Sequence, residues 1–89
     1  MAIAFPNPSR SYDATRRAVR FWGYDQSMEI SFFVTEAALK ALPPHPVIVG
    51  GDDLLAAFDA HRARIQAAAA KVLRSGSKKG SYQVDAGDL

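Results

Sequence analysis

The chain has 89 residues, no cysteine, 48% hydrophobic and 22% charged residues, and eleven basic against nine acidic side chains for a net charge of +2. Such a length makes one domain, residues 1–89, of ordinary globular composition. It excludes a disulfide framework, thiolate chemistry, a membrane span of ~20 apolar residues, and the strong basic excess of a dedicated nucleic-acid binder.

Met1 to Phe5 has neither the basic region nor the apolar length of a signal peptide, so the expected address is the cytoplasm. The apolar run 2–5 is ended by Pro6 and Pro8 and reads as a short edge strand, since proline has no amide to donate. Residues 7–13 are rich in turn formers and read as a loop. The chain is expected to re-enter the sheet around Arg16 or Arg17. Residues 18–24 then alternate, with Val19 and Phe21 on one face and Arg20 and Trp22 on the other. After the polar turn 24–27, residues 28–34 alternate again, with Met28, Ile30, Phe32 and Val34 together. Two such runs make a β-hairpin. The expected register sets Phe21 against Ile30, Val19 against Phe32, Trp22 against Glu29, Arg20 against Ser31 and Ala18 against Phe33. A slip by one residue would drive Glu29 and Ser31 into the core.

Thr35 is suited to cap a short helix over 36–42, which Pro43 and Pro44 end. The segment 43–46 should be extended, and 47–49 reads as a linker rather than a strand. The organising element is a helix over 52–74. Leu54, Leu55, Phe58, Ile65, Ala69, Val72 and Leu73 recur at three- and four-residue steps, which places them on one helical face. Asp52 is expected to cap its start, Lys71 and Arg74 suit its negative end, and Gly76 follows as a stop. The slim run 67–70 lets a sheet approach closely. Arg62 falls inside the apolar stripe. Its stem can lie on the sheet with its head in water, it can pair with Asp13, Glu29 or Asp85, or it can meet an anionic ligand. His61, at the stripe's edge, reads as a half-buried packing residue. After a basic turn at 75–80, residues 81–85 alternate as a last strand, and 86–89 are a tail or single turn. The whole is a two-layer α+β domain in the order β-β-β-α-α-β. Its largely antiparallel sheet of about four strands is covered on one face by the long helix.

Phe5-Pro6-Asn7, Ala18-Val19-Arg20-Phe21, the run 28–34, Leu55, Phe58, Arg62 and Ile65, and Gly80-Ser81-Tyr82 form a pattern spanning nearly the whole chain. In this pattern the chain resembles a small bacterial domain-of-unknown-function family, number 1488. The linker 43–51 stands outside the likeness. The resemblance implies a small α+β fold and carries no activity, substrate, cofactor or catalytic residue.

No motif implies chemistry. His45 and His61 stand sixteen positions apart without cysteines, which is no zinc spacing. There is no nucleophile elbow and no Walker-type lysine loop. Val47-Ile48-Val49-Gly50-Gly51 precedes a helix as a phosphate-binding turn does, but Asp52 and Asp53 would repel phosphate. No cofactor, metal site or catalytic residue is expected, and the chain reads as no enzyme. The outer sheet face is the more informative feature. Trp22 and Phe33 point away from the long helix, with Arg20 and Glu29 beside them, and such patches mark interfaces unless the chain's own short helix or N-terminal loop covers them. The expected function is a non-catalytic interaction module that self-associates or docks a protein through Arg20, Trp22 and Phe33. The alternative is weak single-stranded nucleic-acid binding by Arg16, Arg17, Arg20, Trp22 and Tyr24, against which the lack of an RRM-type signature counts.

Overall fold

The computed structural model describes residues 3–6, 9–25, 27–42, 50–75 and 81–89. Strands β1 (Arg10–Asp13), β2 (Ala18–Asp25) and β3 (Met28–Thr35) are followed by helices α1 (Glu36–Ala41), α2 (Gly51–Ala60) and α3 (Arg62–Ser75). Strand β4 (Ser81–Val84) and a single 3₁₀ turn (Ala86–Asp88) complete the chain. The sheet order is β1-β2-β3-β4. The first three strands are antiparallel and β4 runs parallel to β3. That last pairing follows from the helical crossover, which returns the chain to the edge it left. The architecture is the α+β one expected, with a mostly antiparallel sheet in the order β-β-β-α-α-β.

The core lies between one sheet face and the helices. Val19, Phe21, Ile30, Phe32, Val34, Tyr82 and Val84 from the sheet meet Ala38, Leu39, Leu42, Leu54, Phe58, Ile65, Ala68 and Ala69. Leu55, Val72 and Leu73 are partly buried against the same cluster. The rings of Phe5, Phe21, Phe32, Phe58 and Tyr82 join in a chain of contacts with centroids 5.0–6.1 Å apart. Gly23 leaves a hole in this face. A Cβ there would stand 2.8 Å from Phe5 Cε1 and 2.9 Å from Ile3 Cδ1, so the N-terminal segment fills the space the glycine vacates.

Four expectations need correction. The first strand is Arg10–Asp13, not the run 2–5, whose backbone is joined to the sheet by an isolated bridge between Ala4 and Tyr24. Residues 10–13 lie on an edge, where alternation of Tyr12 with polar neighbours suffices, and turn propensity masked them. The hairpin register is shifted by two: Phe21 pairs with Phe32, Val19 with Val34, Gly23 with Ile30. The cause is a shorter connection. Asp25 pairs with Met28, leaving two residues between the strands, the favoured hairpin length. An even shift preserves the faces, so the core set survives, but Met28 lies beyond the helical cover and is 66% exposed.

Third, the helix expected over 52–74 is two helices. His61, at φ −118° and ψ 21°, leaves the helical region, and its N–H is shared between the carbonyls of Ala57 and Phe58 at 3.2 Å each. Helix α2 packs on β1 and β2, and α3 packs on β4. The sheet twists between those edges, and a bend lets both halves keep their apolar stripes down, with Phe58 and Ile65 fully buried. Fourth, Gly50 is the N-cap rather than Asp52, and Asp53 Oδ2 accepts from the Gly50 N–H at 3.3 Å. Gly51 opens the helix hard against Tyr12, whose ring a Cβ would meet at 3.1 Å.

Thr35 caps α1 as expected, its Oγ1 accepting from the Ala38 N–H at 3.1 Å. The linker 43–49 and the stop at Gly76 lie outside the described residues.

Candidate functional site

The sheet face away from the helices is ordered in rows, because residues paired across strands share a face. Asp13, Ala18 and Thr35 form the first row, and Ser11, Arg20, Phe33 and Gln83 the second. Trp22, Ser31 and Ser81 form the third, and Tyr24 with Glu29 the fourth. Arg20, Trp22 and Phe33 are therefore brought together. The two-residue shift changes their neighbours: Arg20 lies opposite Phe33 and Trp22 opposite Ser31, instead of Ser31 and Glu29 respectively.

The face differs in character from an apolar patch. Trp22 is half-buried, but Phe33 is only 6% exposed. The Arg16 guanidinium carbon stands 4.3 Å from the Phe33 ring centroid. Arg20 stands 5.8 Å from the same centroid and 5.0 Å from that of Trp22. Both arginines thus lie over aromatic rings, a favourable contact of a cation with a π face. Arg20 Nη2 donates to Ser31 Oγ at 2.9 Å, while its Nε is buried and donates to nothing. Neither guanidinium meets a carboxylate among the described residues. At the far end Tyr24 Oη donates to Glu29 Oε2 at 2.7 Å, and that bond pushes the tyrosine pKa up. From the elements that were candidates to cover the face, Ile3, Phe5, Ala38 and Leu39 pack with the core instead.

In the sequence Arg16 is one basic residue among several. Its position on Phe33 depends on the turn that joins β1 to β2. Asp13 Oδ1 accepts from the Arg16 N–H at 3.1 Å, and Arg17 follows with φ 51° in the left-handed region. Arg17 holds that strained geometry with its carbonyl accepting from the Glu36 N–H at 2.9 Å, which ties the turn to the start of α1. Nothing in the sequence marks this, since neither glycine nor asparagine stands there.

A shallow cleft beside this turn is lined by Arg16, Arg17, Thr35, Glu36, Ala37 and Lys40. Its one carboxylate, Glu36, is shared by two of its three cations. Glu36 accepts from Lys40 at 2.9 Å and from Arg17 at 3.4 Å, and the Lys40 hydrogen bond above all holds its carboxyl below the usual range.

Arg62 sits on the helical side, remote from this face. Its Nη2 donates to Asp59 Oδ1 at 2.8 Å, a carboxylate outside the set Asp13, Glu29 and Asp85, and its guanidinium carbon lies 4.8 Å from the Phe58 centroid. Arg10 of β1 grips the same carboxylate with two bonds of 3.0 and 2.8 Å. These bonds, Arg10's first, keep the Asp59 carboxyl below its ordinary pKa. The cluster straps the α2–α3 junction to the edge strand. Among the described residues no group of His, Asp and Glu side chains could hold a metal ion, and no helix is long and apolar enough to cross a membrane.

The comparisons with known proteins agree with this architecture. No curated protein matches the chain. A crystal structure of a protein of unknown function from the DUF1488 family of Shewanella loihica PV-4 is similar, with a TM-score of 0.79 and 24% identity, over 92% of this chain and 90% of that one. That likeness concerns the fold alone. The family model described as "Protein of unknown function (DUF1488)" matches residues 3–84, and the chain belongs to that family.

Proposed function

We propose that this protein is a non-catalytic docking module whose outer sheet face, centred on Trp22 with Arg20 and the Phe33 edge beside it, receives another protein surface. The observation that carries the reading is the pair of arginines lying over Phe33 and Trp22 without a carboxylate partner among the described residues. Stacked guanidinia are held in place before a partner arrives, which lowers the entropy cost of binding. Trp and Arg are the residues most often dominant at protein interfaces.

The competing reading, binding of single-stranded nucleic acid, needs open ring faces on which bases can stack. Here Arg16 lies on Phe33 and Arg20 on Trp22, and Tyr24 is tied to a carboxylate. Bases would have to displace those arginines, so the protein-docking reading is preferred.

Two columns separate the readings. Immobilised full-length protein should retain a protein ligand that a Trp22→Ala column does not. Retention that is indifferent to Trp22→Ala contradicts the proposal. On single-stranded DNA resin the chain should pass without delay at ~50 mM salt. Retention there that disappears by ~200 mM would favour nucleic acid.

A further inference from the structure

We propose that the partner of the outer face is a second copy of this chain, stacked face to face about a two-fold axis that crosses the strands at Trp22. The inference rests on the docking reading above and names its occupant.

The charges on the face are arranged in a way that one chain cannot satisfy. The second row carries Arg20 with the Arg16 guanidinium over Phe33, and the fourth row carries Glu29. Each row lies two residues from Trp22, about 7 Å along the strand at ~3.3 Å per residue. Among the described residues these cations have no carboxylate, and Glu29 has the Tyr24 hydroxyl but no cation. From the second row to the fourth the order is therefore cation, tryptophan, anion, at equal spacing. A two-fold axis through the tryptophan row and perpendicular to the strands turns that order end for end. It lays Trp22 on the partner's Trp22 and the fourth row of each copy over the second row of the other. Isologous contacts need this kind of self-complementary surface.

The lateral fit is also favourable. The axis sets β3 over the second β3, which places Glu29 above the Phe33 of the other copy. Both guanidinia gather around that ring: Arg16 stands directly over it, and Arg20 leans towards β3 through Ser31. Ser31 and then Ser81 follow Trp22 towards β4 in its row, and their small side chains leave room on that side for a second indole. A two-fold axis parallel to the strands does the opposite, because it sets cationic row on cationic row. An acidic peptide fits less well than a second copy. It would satisfy Arg16 and Arg20 but meet the Glu29 carboxylate.

Four strands spaced ~4.8 Å apart and about five residues deep offer a face of roughly 300–400 Å², against ~800 Å² per partner in stable complexes. The dimer is accordingly a weak one, with electrostatic steering setting its register.

The test is sedimentation equilibrium of the full chain from ~1 μM to ~1 mM, the span of a weak interface. The fluorescence of its single tryptophan is read in parallel. The wild type should associate with concentration, and the Trp22 emission should shift to the blue. Arg20→Glu and Glu29→Arg each set like charges in contact and should weaken association at least ~10-fold. The double variant R20E/E29R exchanges the two ends of the pattern and should restore it to within ~3-fold of wild type, since one tenfold step is ~1.4 kcal/mol. Glu29 is exposed, so Glu29→Arg carries the test should Arg20→Glu not fold. A wild type that stays monomeric at ~1 mM overturns the proposal, as does a dimer that Glu29→Arg leaves unchanged. If that monomer still retains another protein in a Trp22-dependent manner, the second copy is refuted and the docking reading stands. If it retains nothing, both fall.

Discussion

The two faces of one hairpin make the instructive contrast in this molecule. On the inner face Phe21 and Phe32 pair across the strands, are essentially inaccessible, and have their rings in contact with Phe58 and Tyr82. On the outer face Arg20 pairs with Phe33, and the ring is shielded by two guanidinia instead of by a helix. Both faces bury a phenylalanine. The inner one does so with apolar neighbours that have no other use, and the outer one with charges that stay unpaired. Burial by aliphatic packing stabilises the fold, whereas burial under unpaired cations leaves interaction capacity in reserve. The difference teaches that low exposure alone does not assign a residue to the core.

Core substitutions should show the largest effects on stability. Phe58→Ala empties a site that touches Phe21 and carries Arg62 above it, and should cost about 3–5 kcal/mol by urea unfolding. That is a large share of the 5–15 kcal/mol typical of a domain. Gly23→Ala comes next. Its methyl must displace Phe5 and Ile3, and over-packing of this kind costs about 1–3 kcal/mol. An unchanged unfolding midpoint would mean that the N-terminal segment does not plug the sheet. Thr35→Ala removes the cap of α1 and should cost about 1 kcal/mol in the same unfolding measurement.

The smallest effect belongs to Asp59. Its folded pKa is depressed by Arg10 and then Arg62, so its contribution is present above the unfolded value near 3.9 and is lost as pH falls through the folded one. Asp59→Asn should be less stable than wild type at neutral pH, and the two should converge as pH falls through the folded pKa of Asp59. The carboxylate is 42% exposed, so solvent screening keeps the difference small. A gap that persists in acid would assign the loss to packing instead.

Much of the fold was legible because it rests on parity and periodicity. Val19, Phe21, Ile30, Phe32 and Val34 share a face whatever the hairpin register, and Leu54, Phe58, Ile65 and Ala69 share a face with or without a bend at His61. Features decided between distant segments were not legible. The register depended on how few residues the turn uses. The bend depended on the two helices meeting opposite edges of a twisted sheet. The first strand, Arg10–Asp13, is recognisable through its pairing with β2 rather than through its own composition.

The same holds for the site. Arg20, Trp22 and Phe33 followed from alternation, so their common face could be read directly. Arg16 could not, because its place over Phe33 is fixed by the left-handed Arg17 and the Asp13 cap of the turn. Likewise Arg62 found its carboxylate on the preceding helical turn, a neighbour always within reach at i−3, while Arg10 of the edge strand supplied the contact that sequence spacing hides.

The central claim is that one face of the hairpin holds the protein together and the other meets a partner. Phe21 and Trp22 are adjacent in β2 and point to opposite sides, so equilibrium unfolding of Phe21→Ala and Trp22→Ala, measured at a protein concentration of ~1 μM to suppress association, compares the faces within one strand. Phe21→Ala should lose about 3–5 kcal/mol and Trp22→Ala no more than about 1. Equal losses for the two would contradict the division of labour, since Trp22 would then belong to the core it is said to turn its back on.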